Sequence, residues 1–269
     1  MYQMTIRVRY SEVDAEKRVD MAQIVKYFQD CSTFHSEDVG CGIEILEEKK
    51  KVWFLCAWQI EVERYPVFGE ELTITTWPYD IMSVNELGKE KPIHGEQSMT
   101  NIEKRKASVR NRNKNDLYAY RNFAMIDKDG VTIARANSIW FLVNTETEKP
   151  VRITNDDVEM YGIGEPLPME YKGRKIKIPK EMKEYDTFSI LKAHIDTNAH
   201  VNNSQYIIFA EEYLPKDFAV KCMRADYKKA AKLHDEIVPK VWQGEDTCVV
   251  EFCDTAQKPY VVIEFERFK

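Results

Sequence analysis

Two stretches of the chain repeat one order of hydrophobic and polar patterns. In the first, residues 5–10 alternate between apolar and polar side chains, and residues 24–34 place apolar side chains at three- and four-residue spacing. The runs that follow are rich in Val, Ile, Thr, Phe, Tyr and Trp, as strands are, and cover residues 52–62, 71–77, 118–126 and 131–143. The pattern predicts a strand, a helix and an antiparallel sheet.

The second stretch predicts the same elements in the same order. A strand over residues 187–194 and a polar loop over 195–203 precede an amphipathic helix over 204–213. Four strands follow, near residues 221–227, 236–242, 247–254 and 259–265. Because the intervening segment is rich in Pro, Lys and Glu, we predict an N-terminal domain (1–148), a linker (149–184) and a C-terminal domain (185–269).

Individual residues also repeat between the two stretches. Asp196 stands 182 positions after Asp14, and the same offset relates Val19 to Val201. Further along, Glu71 and Glu236 are 165 positions apart, since the first half has the longer connection after its helix. The repeat indicates a duplicated α+β unit, with each half a curled antiparallel sheet around one long helix.

Composition narrows the class of protein. Hydrophobic residues make up 43% of the 269 residues, which excludes a disordered chain. The longest run without a charged side chain, residues 197–210, is too short and too polar to span a membrane. Six cysteines without a C-x-x-C pair predict buried reduced thiols, and we expect a cytoplasmic protein. The net charge of −6 argues against a nucleic-acid partner.

The densest polar cluster lies directly before the second helix. If this segment is extended, polar side chains at alternate positions share one face. His200 has an imidazole suited to taking a proton from water. Asn202 and Asn203 stand at the helix start, where backbone N–H groups can receive an oxyanion. The cluster therefore predicts acyl-bond hydrolysis; its alternate positions are Asp196, Asn198, His200 and Asn202.

The eight residues 196–203, D-x-N-x-H-V-N-N, resemble the motif of the acyl-ACP thioesterases. Weaker likenesses at residues 67–72, 227–231 and 235–237 extend the resemblance over nearly the whole chain. The resemblance implies a tandem (double) hotdog fold and hydrolysis of fatty acyl-acyl carrier protein. It also implies catalytic roles for Asp196, Asn198 and His200 in the second unit, and an acyl-chain pocket in the first. We expect no cofactor and no metal, because a thioester is already activated.

The chain departs from the family pattern at two positions. Members commonly carry Glu where this chain has Ala230, and Gly where it has His234. Three interpretations of the missing carboxylate stay open. Asp196 and His200 suffice, another acid such as Glu211 or Asp235 replaces it, or the protein is a slow or inactive enzyme that binds an acyl chain or its carrier.

Two further expectations concern the first half. Glu16 and Arg18 stand where the second half has Asn198 and His200, so we predict a single active site per chain. A basic run within residues 85–116 includes Arg110 and Arg112, and these side chains are candidates for docking an acidic carrier protein. An acyl-CoA thioesterase or a dehydratase is the alternative enzyme, and both a monomer and a homodimer remain open.

Overall fold

The computed structural model describes residues 1–83, 116–154 and 157–269. The α-helices of these residues are α1 (Met21–Asp38), α2 (Ile43–Glu48) and α3 (Asn203–Glu211). The strands are β1 (Tyr2–Arg7), β2 (Lys51–Val62), β3 (Glu71–Ser83), β4 (Asp116–Asp127), β5 (Thr132–Asn144), β6 (Lys149–Val151), β7 (Lys183–Glu184), β8 (Phe188–Ser189), β9 (Val220–Tyr227), β10 (Glu236–Gln243), β11 (Thr247–Cys253) and β12 (Pro259–Arg267).

Antiparallel pairing joins these strands into one sheet. Its order is β1-β3-β4-β5-β2-β9-β12-β11-β10-β7, with β6 paired to β5 and β8 to β10. Strands β2 and β9 meet at the centre, where Gln59 pairs with Arg224. Strands β1 to β6 therefore lie on one side of this junction, and strands β7 to β12 lie on the other.

The two longer helices pack against the sheet and against each other. Helix α1 begins after Asp20, whose carboxylate accepts a hydrogen bond from the amide of Gln23 at 2.6 Å and caps the helix. The ring of Phe28 on α1 lies 5.1 Å from that of Phe123 on β4. These contacts bury the apolar side of α1, so the central helix predicted for the first half is confirmed.

Residues 164–176, which we call the crossing segment, cover the sheet face opposite the helices. Because strand side chains alternate, Gln59 faces away from α1 when Trp58 faces it. The side chain of Gln59 accepts a hydrogen bond from the amide of Lys172 at 2.9 Å, and Arg174 lies 3.5 Å from buried Asp226. The segment assigned to a linker thus packs against strands of both halves and closes one face of the sheet.

Most strands begin and end within a few residues of their predicted bounds, but the strand predicted over residues 187–194 is wrong in most of its length. Only Phe188–Ser189 pairs as a strand, and residues 192–194 form a 3₁₀ turn. The amide of Leu191 donates to Nδ1 of His194 at 3.1 Å, and this local bond favours the turn. The same over-extension occurs at residues 5–10, where β1 ends at Arg7 and a 3₁₀ turn starts at Tyr10.

All six cysteines are buried and unpaired, as predicted. Burial raises the pKa of the Cys56 thiol to about 12, so it stays protonated. Within the described ranges, no helix has both the length and the apolar character that a membrane span requires.

Candidate active site

Residues 196–201 form a tight reversal before helix α3. The amide of Asp196 donates to the carbonyl of His200 at 2.8 Å, and the amide of Ala199 donates to the carbonyl of Asp196 at 3.1 Å. Ala199 takes a positive φ of 58°, which turns the chain back. The expectation of an extended segment with four polar side chains on one face is therefore wrong for Asp196, Asn198, His200 and Asn202.

Asp196 braces this reversal. Its Oδ1 accepts a hydrogen bond from the amide of Asn198 at 2.8 Å, which closes an Asx turn. Asp196 is half-buried, whereas Asn198 is exposed at the tip of the loop. The carboxylate therefore fixes the loop that carries His200. The side-chain amide of Asn198 has no hydrogen-bond partner among the described residues.

His200 sits where the two halves of the sheet meet. Its ring is half-buried, and its centroid lies 6.1 Å from that of Phe54 on β2, in an edge-on arrangement. Its Nδ1 is buried and has no hydrogen-bond partner within the described ranges. A strand of the first half thus forms one wall of the space around the imidazole.

The start of helix α3 leaves one backbone donor open. Asn202 caps the helix, since its side chain accepts from the amide of Ser204 at 2.9 Å and from the Ser204 hydroxyl at 2.8 Å. The Tyr227 hydroxyl donates to the carbonyl of Asn203 at 3.0 Å, and burial raises the pKa of this phenol, which keeps it a donor. The N–H of Asn203 has no acceptor among the described residues. It is the free donor at the positive end of the helix.

The position of the missing carboxylate lies beside the loop that carries His200. The amide of Val201 donates to the carbonyl of Ala231 at 2.9 Å, which ties residues 230–231 to the residue that follows the imidazole. Ala230 is half-buried there. A glutamate at this position would add a carboxylate close to His200, and alanine leaves that place without one.

The two acids considered as replacements, Asp235 and Glu211, have their hydrogen-bond partners outside the loop of His200. Asp235 accepts hydrogen bonds from the amide of Lys232 at 2.9 Å and from the hydroxyl of Tyr260 at 3.0 Å. Glu211 instead reaches the start of the other long helix, where its Oε1 accepts from the amide of Met21 at 3.1 Å. Neither carboxylate is hydrogen-bonded to the loop of His200 within the described residues, so the interpretation in which one of them replaces the missing glutamate stays a hypothesis.

The first half contains a loop with the same backbone bonds. The amide of Asp14 donates to the carbonyl of Arg18 at 2.8 Å, and the amide of Lys17 donates to the carbonyl of Asp14 at 3.0 Å. Lys17 has a φ of 63°, and the Asp14 carboxylate accepts from the amide of Glu16 at 2.8 Å. Each bond has its counterpart 182 positions later, in the loop of His200.

The equivalence extends into the turn that packs on each loop. The amide of Val19 donates to the carbonyl of Pro66 at 3.0 Å, as Val201 does to Ala231. The turns contain Gly69 and His234, which have φ values of 81° and 71° and are 165 positions apart. Both offsets read from the sequence therefore relate equivalent hydrogen bonds.

Glu211 distinguishes the two helix starts. In the first half its carboxylate occupies the Met21 N–H, whereas the equivalent N–H of Asn203 is open. Burial, with the nearby charge of Asp20, raises the pKa of Glu211 to about 8. At neutral pH the raised pKa keeps Glu211 mostly protonated, so a carboxyl oxygen of a neutral acid accepts the N–H at this helix start.

The other candidate residues take less part in the site. His194 accepts from a backbone amide and packs on Phe209 at 4.9 Å, a structural role. Arg110 and Arg112 lie outside the described residues. Phe54 was missed from the sequence, because nothing local in its strand marks contact with a residue about 150 positions away.

Comparison with known proteins identifies the family of this chain. The family model described as acyl-ACP thioesterase N-terminal domain matches residues 1–91 and 90–161, and the model of the C-terminal domain matches residues 177–262. The chain is 24% identical over 265 residues to oleoyl-acyl carrier protein thioesterase 2 of Arabidopsis thaliana. That alignment covers 91% of this chain and 63% of the relative, so the chain spans less than two thirds of the relative's length.

Solved structures share the fold. An acyl-ACP thioesterase from Bacteroides thetaiotaomicron superimposes with a TM-score of 0.79 at 23% identity, covering 98% of this chain and 96% of that one. The 12:0-ACP thioesterase from Umbellularia californica gives a TM-score of 0.74 at 17% identity, with the same coverage of 98% and 96%. The antiparallel sheet and its few helices fit a hotdog fold.

Proposed function

The chain belongs to the acyl-ACP thioesterase family, and from that premise we propose that it hydrolyses fatty acyl-acyl carrier protein to a free fatty acid and the carrier protein. One observation carries the proposal. An imidazole with an unpartnered Nδ1, His200, stands three residues before an open helix-start donor, the N–H of Asn203. A general base and an oxyanion donor are what hydrolysis of a thioester by water requires.

In the proposed mechanism His200 takes a proton from water, and the water oxygen attacks the thioester carbonyl carbon. The charge that develops on the carbonyl oxygen is received by the N–H of Asn203 and by the positive end of α3. The carbon–sulfur bond then breaks, and the imidazolium returns its proton to the leaving thiolate. Asp196 holds the loop in place and lies near the attacking water, and Asn198 positions the water or the imidazole. No cofactor takes part.

We also propose a tandem (double) hotdog, with the chemistry in the C-terminal unit and the acyl-chain pocket in the N-terminal unit. The matched hydrogen bonds of the two loops support duplication. The central strand pair supports it too, because Gln59 and Arg224 pair with each other and are 165 positions apart. We retain the boundaries 1–148, 149–184 and 185–269 as the proposed division.

The proposed partner is an acidic acyl carrier protein, and the proposed location is the cytoplasm. Docking through Arg110 and Arg112 rests on the charge of the sequence. Reversing both charges should raise KM for the carrier-linked substrate, more at low salt than at high salt, and leave KM for a small acyl thioester unchanged. A monomer and a homodimer are both compatible with these proposals.

A catalytically impaired acyl-chain or carrier-protein binder is the second candidate. The specific observation in its favour is Ala230, which stands where family members commonly carry glutamate. An acyl-CoA thioesterase is distinguished by its substrate alone, and a dehydratase by the absence of released thiol.

Thiol release from acyl carrier proteins of several chain lengths tests the proposal, with the acyl-CoA esters beside them. We expect turnover by the wild type, a loss of about 10²–10⁴-fold in His200→Ala, and no loss in Arg18→Ala, the matched variant in the first half. Activity that appears only in Ala230→Glu would instead identify an impaired enzyme. If neither the wild type nor Ala230→Glu releases thiol, the proposed hydrolysis is wrong.

A further inference from the structure

Helix α3 touches the start of helix α1 through one side chain. Glu211 is the ninth residue of α3, and Met21 is the first residue of α1. The Glu211 carboxylate accepts the Met21 N–H at 3.1 Å, across a sequence separation of 190 residues. This bond joins the two halves of the molecule at the position equivalent to the candidate active site.

Because the two halves are equivalent, the same contact is expected at the start of the other helix. Gln29 is the ninth residue of α1, and Asn203 is the first residue of α3. The loops before both helices have the same backbone bonds, both helices are capped by a side-chain oxygen, and the helices pack against each other. A two-fold relation that exchanges them therefore sets Gln29 opposite Asn203, as Glu211 is opposite Met21.

The two helix starts differ in what occupies their first N–H group. The carboxylate of Glu211 holds the Met21 N–H, whereas the N–H of Asn203 is open among the described residues. Gln29 is half-buried, and its side-chain amide has no hydrogen-bond partner in the described part of the chain. By the two-fold relation a side-chain amide stands opposite the open donor, and the carboxyl group of Glu211 occupies the other.

We propose that Gln29 belongs to the active site, as a second hydrogen-bond donor to the thioester carbonyl oxygen. Its neutral side chain leaves the N–H of Asn203 free for that oxygen, and its Nε2–H donates beside it. The inference rests on the proposed function and adds a residue from the first half to a site otherwise built from the second.

The contact of Glu211 also accounts for the prediction that the first half has no active site of its own. The carboxyl group of Glu211, at the ninth position of its helix, accepts the Met21 N–H, so that N–H is not available to a developing oxyanion. The first half therefore lacks an open oxyanion donor in addition to lacking the imidazole.

Two variants of Gln29 and one control test the proposal. Gln29→Met keeps the length of the side chain and removes both hydrogen-bonding groups, and we expect kcat to fall about 10²-fold with KM and the melting temperature unchanged. Gln29→Glu reproduces the first-half arrangement, and we expect a larger fall. Thr33→Glu adds the same charge one turn later on an exposed part of α1 and should retain full kcat.

A second measurement separates a hydrogen-bonding role from a packing role. A fatty acid carboxylate should bind the wild type at the open donor, and its dissociation constant should rise at least tenfold in Gln29→Glu and stay unchanged in Thr33→Glu. Full kcat in Gln29→Met, or equal carboxylate binding by wild type and Gln29→Glu, would overturn the proposal. Because binding needs no turnover, a wild type that releases no thiol refutes the proposed function alone.

Discussion

The loop of Asp14 and the loop of Asp196 have one backbone and different chemistry. Both reverse the chain through a residue of positive φ, and both are braced by the aspartate. At the end of the reversal the first loop carries Arg18, and the second carries His200. The two loops thus share their backbone hydrogen bonds, and only the second carries an imidazole.

The helix starts that follow these loops differ in what occupies them. One N–H is held by Glu211 and the other is open. Under the proposed function, the first half therefore lacks both the proposed base and an open N–H at its helix start. The backbone hydrogen bonds that the two loops share therefore serve folding. The proposed function depends on side chains that differ between the halves, namely His200 and Glu211.

Removing each bracing aspartate tests this separation most strongly. Asp196→Ala and Asp14→Ala each lose an Asx bond, and we expect each to lower the free energy of unfolding by about 1 kcal/mol. Only Asp196→Ala should also lower kcat, by about 10²-fold or more, because its loop carries His200. Thiol-release kinetics and denaturant unfolding measure the two effects. Equal losses of activity would refute the assignment of chemistry to the second loop.

The buried carboxylate predicts a pH effect on stability. The folded pKa of Glu211 is raised from 4.5 to about 8, so the folded state binds this proton more tightly than the unfolded state. Stability should therefore fall as the pH rises from about 4.5 to about 8. Glu211→Gln should flatten this part of the profile and retain kcat, whereas Glu181→Gln, at an exposed glutamate that is not among the charges raising the Glu211 pKa, should change neither. An identical pH profile in Glu211→Gln would contradict the assignment.

The turns that pack on the loops give the smallest effect. His234 has a φ of 71°, which is unfavourable for a side chain, whereas Gly69 adopts 81° without penalty. We expect Gly69→Ala to destabilise the protein by about 1 kcal/mol, and His234→Gly to stabilise it by less than that. Melting temperatures of the two variants measure the difference. Destabilisation by His234→Gly would show that the imidazole makes contacts that outweigh its backbone strain.

Much of the fold follows from local patterns. The helix around Phe28 and the strand around Trp58 were predicted because periodicity is set by the geometry of one element. The strand predicted over residues 187–194 failed because the hydrogen bond from Leu191 to His194 favours a turn, which alternation does not reveal. The extended loop at residues 196–202 failed for the same kind of reason, since Asp196 bonds to its own neighbours.

The family motif, the repeated residues at two fixed offsets, and the loop that carries the imidazole could all be read from the sequence alone. These follow from residue identities at fixed spacing, which need no third dimension. The tertiary structure was needed to show that Phe54 lies beside His200 and that Glu211 occupies the start of α1. These contacts join residues far apart in the chain, and they exist only once β2 pairs with β9 and the two helices pack together.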